Sequence, residues 1–148
     1  MRRDEKPIIV EQAFDADINA VWDALTKIDL MRQWYFDDIP DFKPEVGFET
    51  QFTVTNEGRD FPHMWKVIEA IPAKKIAYSW KYDTYPGDSF VEFELFERDD
   101  STKLKLTVHV LDDFPDDIPE FKRESCVAGW EYFIKQRLRE FLEKTPLP

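Results

Sequence analysis

Glycine, histidine and cysteine are all scarce in this 148-residue chain, with four, two and one respectively. Gly47, Gly58, Gly87 and Gly129 lie too far apart to cradle a phosphate, and neither GxGxxG nor a GxxxxGKS/T loop occurs, so nucleotide binding by those devices is excluded. His63 and His109 have no histidine partner at helical spacing and no CxxC accompanies them, so neither a metal nor a cofactor is expected. Cys126 is alone, which rules out a disulfide framework and suits a reducing compartment. The one apolar run near the start, Ile8-Ile9-Val10, is too short for a signal-peptide core or a membrane span, and a cytoplasmic protein is expected. Basic charge is also short: 20 Lys and Arg against 31 Asp and Glu give a net charge of −11, which opposes nucleic acid and anionic membranes as partners.

Acidic residues and aromatic rings are what the chain has in abundance. The acids at Asp37-Asp38 and from Asp112 to Asp117 lack the alternating ligand pattern and central glycine of a calcium loop, and read as solvated turns. No serine stands in a nucleophile elbow. Aromatics reach 16%, with 13 Phe, 5 Trp and 5 Tyr, and many fall in segments with strand-like alternation. That composition asks for a dense aromatic core or an aromatic-lined pocket.

The longest periodic segment runs from Pro119 to Lys144. Cys126, Trp130, Phe133, Ile134, Leu138, Phe141 and Leu142 recur every three or four residues, which predicts one long amphipathic helix of about 40 Å. Asp117 with Glu120 reads as a capping box, Pro119 as a first-turn proline, and Thr145-Pro146 as the stop. Upstream, Pro7 to Phe14 reads as a strand, Asp15-Ala16-Asp17 offers a cap for a short helix from Ile18 to Thr26, and a second helical turn is expected from Leu30 to Trp34. The loop from Tyr35 to Val46 is a candidate pocket rim.

From Gly47 onward five or six strand-like segments follow one another with no helix between them, the pattern of an antiparallel meander. Phe48, Thr50, Phe52 and Val54 share one face; so do Ile76, Tyr78, Trp80 and Tyr82. Val91, Phe93 and Leu95 oppose Leu104, Leu106, Val108 and Val110, leaving one apolar face for the long helix to cover. The first six and last four residues read as loose ends around a single domain spanning 1–148, with an ordered core from about 8 to 144.

Ala20 to Thr26, Trp34, Ile76-Ala77-Tyr78-Ser79-Trp80, Thr102 to Thr107 and Gly129-Trp130, in that order and spacing, resemble the START-like superfamily with its α+β helix-grip fold. More narrowly the chain resembles the homologues of the ninety-kilodalton heat-shock protein's ATPase activator. The resemblance implies a curved antiparallel sheet of six to seven strands gripping the C-terminal helix, with a cavity between them that in related proteins takes hydrophobic small molecules. It implies no single activity.

Three readings follow. In the first, the protein binds a hydrophobic or aromatic small molecule or lipid, with Trp34, Phe52, Trp65, Glu69, Tyr78, Trp80, Phe93, Trp130 and Phe133 around it. Glu69 enters because Trp65, Val67 and Glu69 share a strand face, and a carboxylate among rings has a raised pKa suited to acid–base work; if Met64, Lys66 and Ile68 face inward instead, Glu69 is merely solvated. In the second, suggested by the resemblance, the chain is a chaperone-regulating interaction module whose acidic loops seek a basic partner. The third is a cyclase- or hydrolase-like enzyme using the same cavity, with Glu69 or Tyr78. A monomer or homodimer is expected in each case.

The aromatic set can also simply fill the core. An empty apolar void of about 300 Å³ costs on the order of 7 kcal/mol, so either the rings close the space or something occupies it. Gly129 inside a helix costs about 1 kcal/mol relative to Ala, and either a pocket or close helix–sheet packing explains it. His63, next to Phe61-Pro62, and His109 are both expected to be exposed.

Overall fold

A computed structural model of the chain describes residues 1–143. Strand β1 (Ile8–Phe14) is followed by helices α1 (Ile18–Thr26) and α2 (Ile28–Trp34). Then come β2 (Glu49–Asn56), β3 (Arg59–Ile71), β4 (Lys75–Tyr82), β5 (Asp88–Arg98) and β6 (Ser101–Asp112). The six strands form one antiparallel sheet in the order β1-β6-β5-β4-β3-β2, so the first strand pairs with the last and α1 and α2 carry the chain to the opposite edge. This is the α+β helix-grip arrangement.

Alternation decides which face is buried. Val91, Phe93 and Leu95 on β5 and Leu104, Leu106 and Val108 on β6 are all buried, and Phe93 lies opposite Leu106 in register. On the outer face Glu94 lies opposite Lys105, and Glu92 accepts from His109 Nε2 at 2.6 Å. His109 stacks on Phe90 with ring centroids 4.4 Å apart and is partly exposed, as its position on the wet side requires.

The cover for the inner face is more broken than the sequence pattern predicts. Pro119–Phe121 forms a separate 3-10 turn, and Lys122 takes an extended conformation (φ −70°, ψ 146°) before α3 (Arg123–Glu131) begins. Asp117 does not cap the helix and Glu120 does not complete a box: the Glu120 carboxylate accepts from Asn56 Nδ2 at 2.8 Å and Arg59 Nη1 at 3.2 Å, tying the turn to the β2–β3 hairpin. The physical reason lies in Phe121, which is buried with Phe61 and Phe114 in a satellite cluster and draws the chain away from a continuous helical path. Gly87, at φ 118°, abuts this cluster, and a Cβ there would overlap the Phe114 ring. After α3, Tyr132–Leu138 is π-helical and Arg139–Glu143 (α4) returns to α geometry. Lys144 and the Thr145-Pro146 stop lie outside the described residues.

The first residues are held rather than loose. The Met1 amine donates to the Phe121 carbonyl at 2.6 Å, the Met1 carbonyl accepts from Phe114 N at 2.9 Å, and Arg123 donates to the Lys6 carbonyl at 2.6 Å. Among the described residues no helix is long and apolar enough to cross a membrane.

Candidate functional site

Between the sheet and α3 lies a cavity of about 160 Å³. Trp80 and Tyr82 from β4, Val91 from β5 and Val108 from β6 form its sheet side; Cys126, Gly129, Trp130 and Phe133 form its helix side. His63 from β3 and Phe36 from the loop after α2 close one end. A Cβ built on Gly129 meets no atom within 4 Å, so close helix–sheet packing does not explain this glycine; it borders open space.

Of the nine residues singled out from the sequence, Trp80, Trp130 and Phe133 line the cavity directly. The rings of Trp80 and Trp130 meet edge to face at 5.3 Å, and those of Phe93 and Trp130 at 5.9 Å. Trp34, Phe52, Trp65, Tyr78 and Phe93 are buried around it rather than along it. Trp34 is fully buried, donates Nε1 to the Ala24 carbonyl at 2.7 Å and stacks on Tyr35 at 4.5 Å. Trp65 packs against Tyr78 at 4.7 Å, Phe52 at 4.8 Å and Trp80 at 5.0 Å, and its buried Nε1 has no hydrogen-bond partner among the described residues.

Glu69 is not brought to the cavity. Trp65 and Val67 do face inward, but a β-bulge between Val67 and Glu69 sends both Ile68 and Glu69 outward. The Glu69 carboxylate instead sits 2.8 Å from Lys75 Nζ, which is also 2.8 Å from Glu92. Burial works to raise the Glu92 carboxyl, but hydrogen bonding and charge from Lys75, then His109, bring it below its ordinary value. This is a surface ion network on the far side of the sheet. Tyr78, the other acid–base candidate, is fully enclosed and bonded to Tyr35, with their hydroxyl oxygens 2.9 Å apart.

Several residues of the site were not anticipated. The segment after α2 is not only a rim: Tyr35, Ile39 and Phe42 are buried in the core, and Tyr35 touches Trp34, Trp65, Trp80, Trp130 and Phe133. His63, expected to be exposed, is 5% exposed. The reason is that β3 starts at Arg59, four residues earlier than its turn-like flank suggests, which puts His63 in step with the inward-facing Phe61, Trp65 and Val67. Burial pulls its imidazole down to about 4, only partly offset by its hydrogen bond to the Phe61 carbonyl. At neutral pH the ring is uncharged.

The remaining polar groups are equally tame. Burial pushes the Cys126 thiol up to about 11, so it stays protonated, and Sγ lies 3.6 Å from the Glu120 carbonyl. Ser89 Oγ donates to the Trp80 carbonyl at 2.7 Å. Trp80 Nε1 donates to Tyr82 Oη at 2.8 Å. Among the described residues no group of three or more His, Cys, Asp or Glu side chains is placed to hold a metal ion. The arrangement can therefore surround a small, mostly apolar molecule and offer it a few fixed polar contacts.

The sequence profile of the family described as "Activator of Hsp90 ATPase homolog 1-like protein" matches residues 15–143. The chain belongs to this family. Its fold is START-like. Among curated proteins none matches the chain. Solved structures with the same fold include one from Chromobacterium violaceum, at 20% identity and TM-score 0.77, with 93% of this chain and 96% of that one covered. A protein from Mesorhizobium loti aligns at 24% identity and TM-score 0.76, covering 96% of this chain and all (100%) of that one. The Aha1 dimer from Colwellia psychrerythraea aligns at 20% identity and TM-score 0.73, covering 94% and 97%. At these identities the likeness establishes the fold.

Proposed function

We propose that this family member is a small-molecule binding protein whose ligand is a single aromatic ring or a group of similar size held between β4 and α3. The observation that carries this reading is the open space at Gly129. A helix-interior glycine costs about 1 kcal/mol relative to alanine, and here neither a positive φ nor a close neighbour requires it. The space is partly open to solvent, and a ring-sized molecule that displaces water from it gains by burying apolar surface at about 25 cal/mol per Å². Apolar cavities of about 150 Å³ bind benzene. A volume of about 160 Å³ is below the roughly 300 Å³ typical of pockets for larger ligands, so a whole lipid chain does not fit without rearrangement of the surrounding rings.

Calorimetric titration with benzene, comparing the protein with Gly129→Leu, tests the reading. A Cβ at this position meets nothing within 4 Å and leucine raises helix propensity, so the variant should fold. Saturable binding lost in the variant supports the proposal. Absence of binding to the unaltered protein, or equal binding to both, contradicts it.

A second reading, a module that regulates a heat-shock chaperone, is supported by the family description and by the exposure of Asp37, Asp38, Asp112, Asp116 and Asp117. It predicts salt-sensitive association with a purified chaperone of the Hsp90 type. Loss of that association when the five aspartates are changed to asparagine supports it, and no association at low salt contradicts it.

A further inference from the structure

The cavity lining is mostly apolar, with Met1, Ser89 and Cys126 also bordering it, and two of its polar side chains, His63 and Tyr82, are each left with half of their hydrogen-bonding capacity unused. His63 Nδ1 lies 2.8 Å from the Phe61 carbonyl oxygen. A carbonyl can only accept, so Nδ1 carries the proton, and in a neutral imidazole that leaves Nε2 as a bare acceptor. No donor from the described residues reaches it. Tyr82 Oη accepts the indole proton of Trp80 at 2.8 Å, which leaves its own hydroxyl proton free to be given. No acceptor from the described residues takes that proton. The two rings stand 4.8 Å apart, centroid to centroid and nearly perpendicular, yet do not bond each other. His63 is held in place by a stacked Phe52 at 4.9 Å, so its orientation is fixed before any ligand arrives.

Resting on the cavity reading above, we infer that the site selects a monocyclic aromatic bearing a hydroxyl, which donates to His63 Nε2 and accepts from Tyr82 Oη. A phenolic hydroxyl is one of the smallest groups that supplies both a proton and lone pairs from a single atom. A purely apolar ring of the same size covers an acceptor and a donor without meeting either. A carboxylate offers no proton to Nε2 and so meets only one of the two groups, which places aromatic acids below phenols.

Phenol and toluene have nearly the same shape and differ in the group that matters, and the ratio of their affinities within one protein cancels what the cavity contributes to both. Titrating both into the full chain, His63→Phe and Tyr82→Phe should show the phenol-to-toluene ratio falling about tenfold in His63→Phe and by a smaller factor in Tyr82→Phe. Benzoate should bind more weakly than phenol. An unchanged ratio in both variants overturns the hydroxyl assignment while leaving the cavity reading intact, and benzoate binding as tight as that of phenol overturns it too. Failure of the unaltered protein to bind either ring overturns both. If His63→Phe does not fold, Tyr82→Phe alone decides, because it removes a single atom from a ring that keeps its packing.

Discussion

The hydroxyl oxygens of Tyr35 and Tyr78 lie 2.9 Å apart in the core, where the two residues are 7% and 1% exposed. One comes from the end of α2 and the other from the centre of the sheet, so the bond fixes the loop after α2 against β4. Each hydroxyl is the other's partner. Tyr35→Phe or Tyr78→Phe alone should therefore cost about 1–3 kcal/mol by leaving a buried hydroxyl unmet, while the double variant should cost less than the sum of the two. Urea unfolding of all four proteins measures this, and simple additivity would show that the pair is not coupled.

The same burial sets a limit in alkali. Tyr35, Tyr78 and Tyr82 are all pushed well above the ordinary value of 10.0, chiefly because the enclosed site disfavours the phenolate. The unfolded chain releases these protons first, so their contribution to stability is complete below pH 10 and is lost as pH rises beyond it. The urea midpoint should fall above pH 10, and the fall should be shallower in Tyr35→Phe/Tyr78→Phe. An equal fall in both proteins would place the alkaline sensitivity elsewhere.

In acid the sign is opposite. His63 drops from 6.5 to about 4 on folding, so between these values the unfolded chain takes up a proton that the folded one refuses. Stability attributable to this residue is present above pH 6.5 and is lost as pH falls toward 4, amounting to about 2 kcal/mol by pH 5. The difference in urea stability between pH 7 and pH 5 should shrink by about that amount in His63→Gln. No change on substitution would mean that the ring is charged or solvated in the folded state.

Glu69→Ala should change stability by less than about 1 kcal/mol and leave ligand affinity untouched, since its carboxylate is about half exposed on the outer face beside Lys75. A loss of binding on this substitution would place the carboxylate on the wrong side of the sheet in the present account.

Gly129→Ala should raise the urea stability by about 1 kcal/mol, because the added methyl meets nothing within 4 Å and improves helix propensity. It should also weaken binding of a ring-sized ligand by taking up part of the space. A stability loss would indicate an obstruction at this position.

The meander was legible because burial on one face imposes alternation, which β5 follows from Ser89 to Leu95 and β6 from Thr102 to Leu106. Trp80, Trp130 and Phe133 were legible for the same reason: each stands in phase with the buried side of its element. What was hidden involves breaks in phase. The bulge after Val67 reverses the direction of Glu69 at no visible cost in composition. Pro62 made the start of β3 look like a turn, although counting back in twos from Trp65 puts His63 on the inner face. Tyr35 and Phe36 belong to no periodic element, so nothing local distinguishes a core plug from a rim. The 3-10 turn at Pro119–Phe121 depends on Phe61 and Phe114, which are distant in sequence, and a local helical signal cannot register their pull.

The proposed seat of a ring-sized molecule is the space beside Gly129. The most direct measurement is a heteronuclear NMR titration with toluene, following the Gly129 amide and the Trp80 indole Nε1–H. Saturable shifts confined to these signals and their cavity neighbours, absent in Gly129→Leu, are expected. Unmoved signals at saturating toluene, or the same shifts in Gly129→Leu, would contradict it.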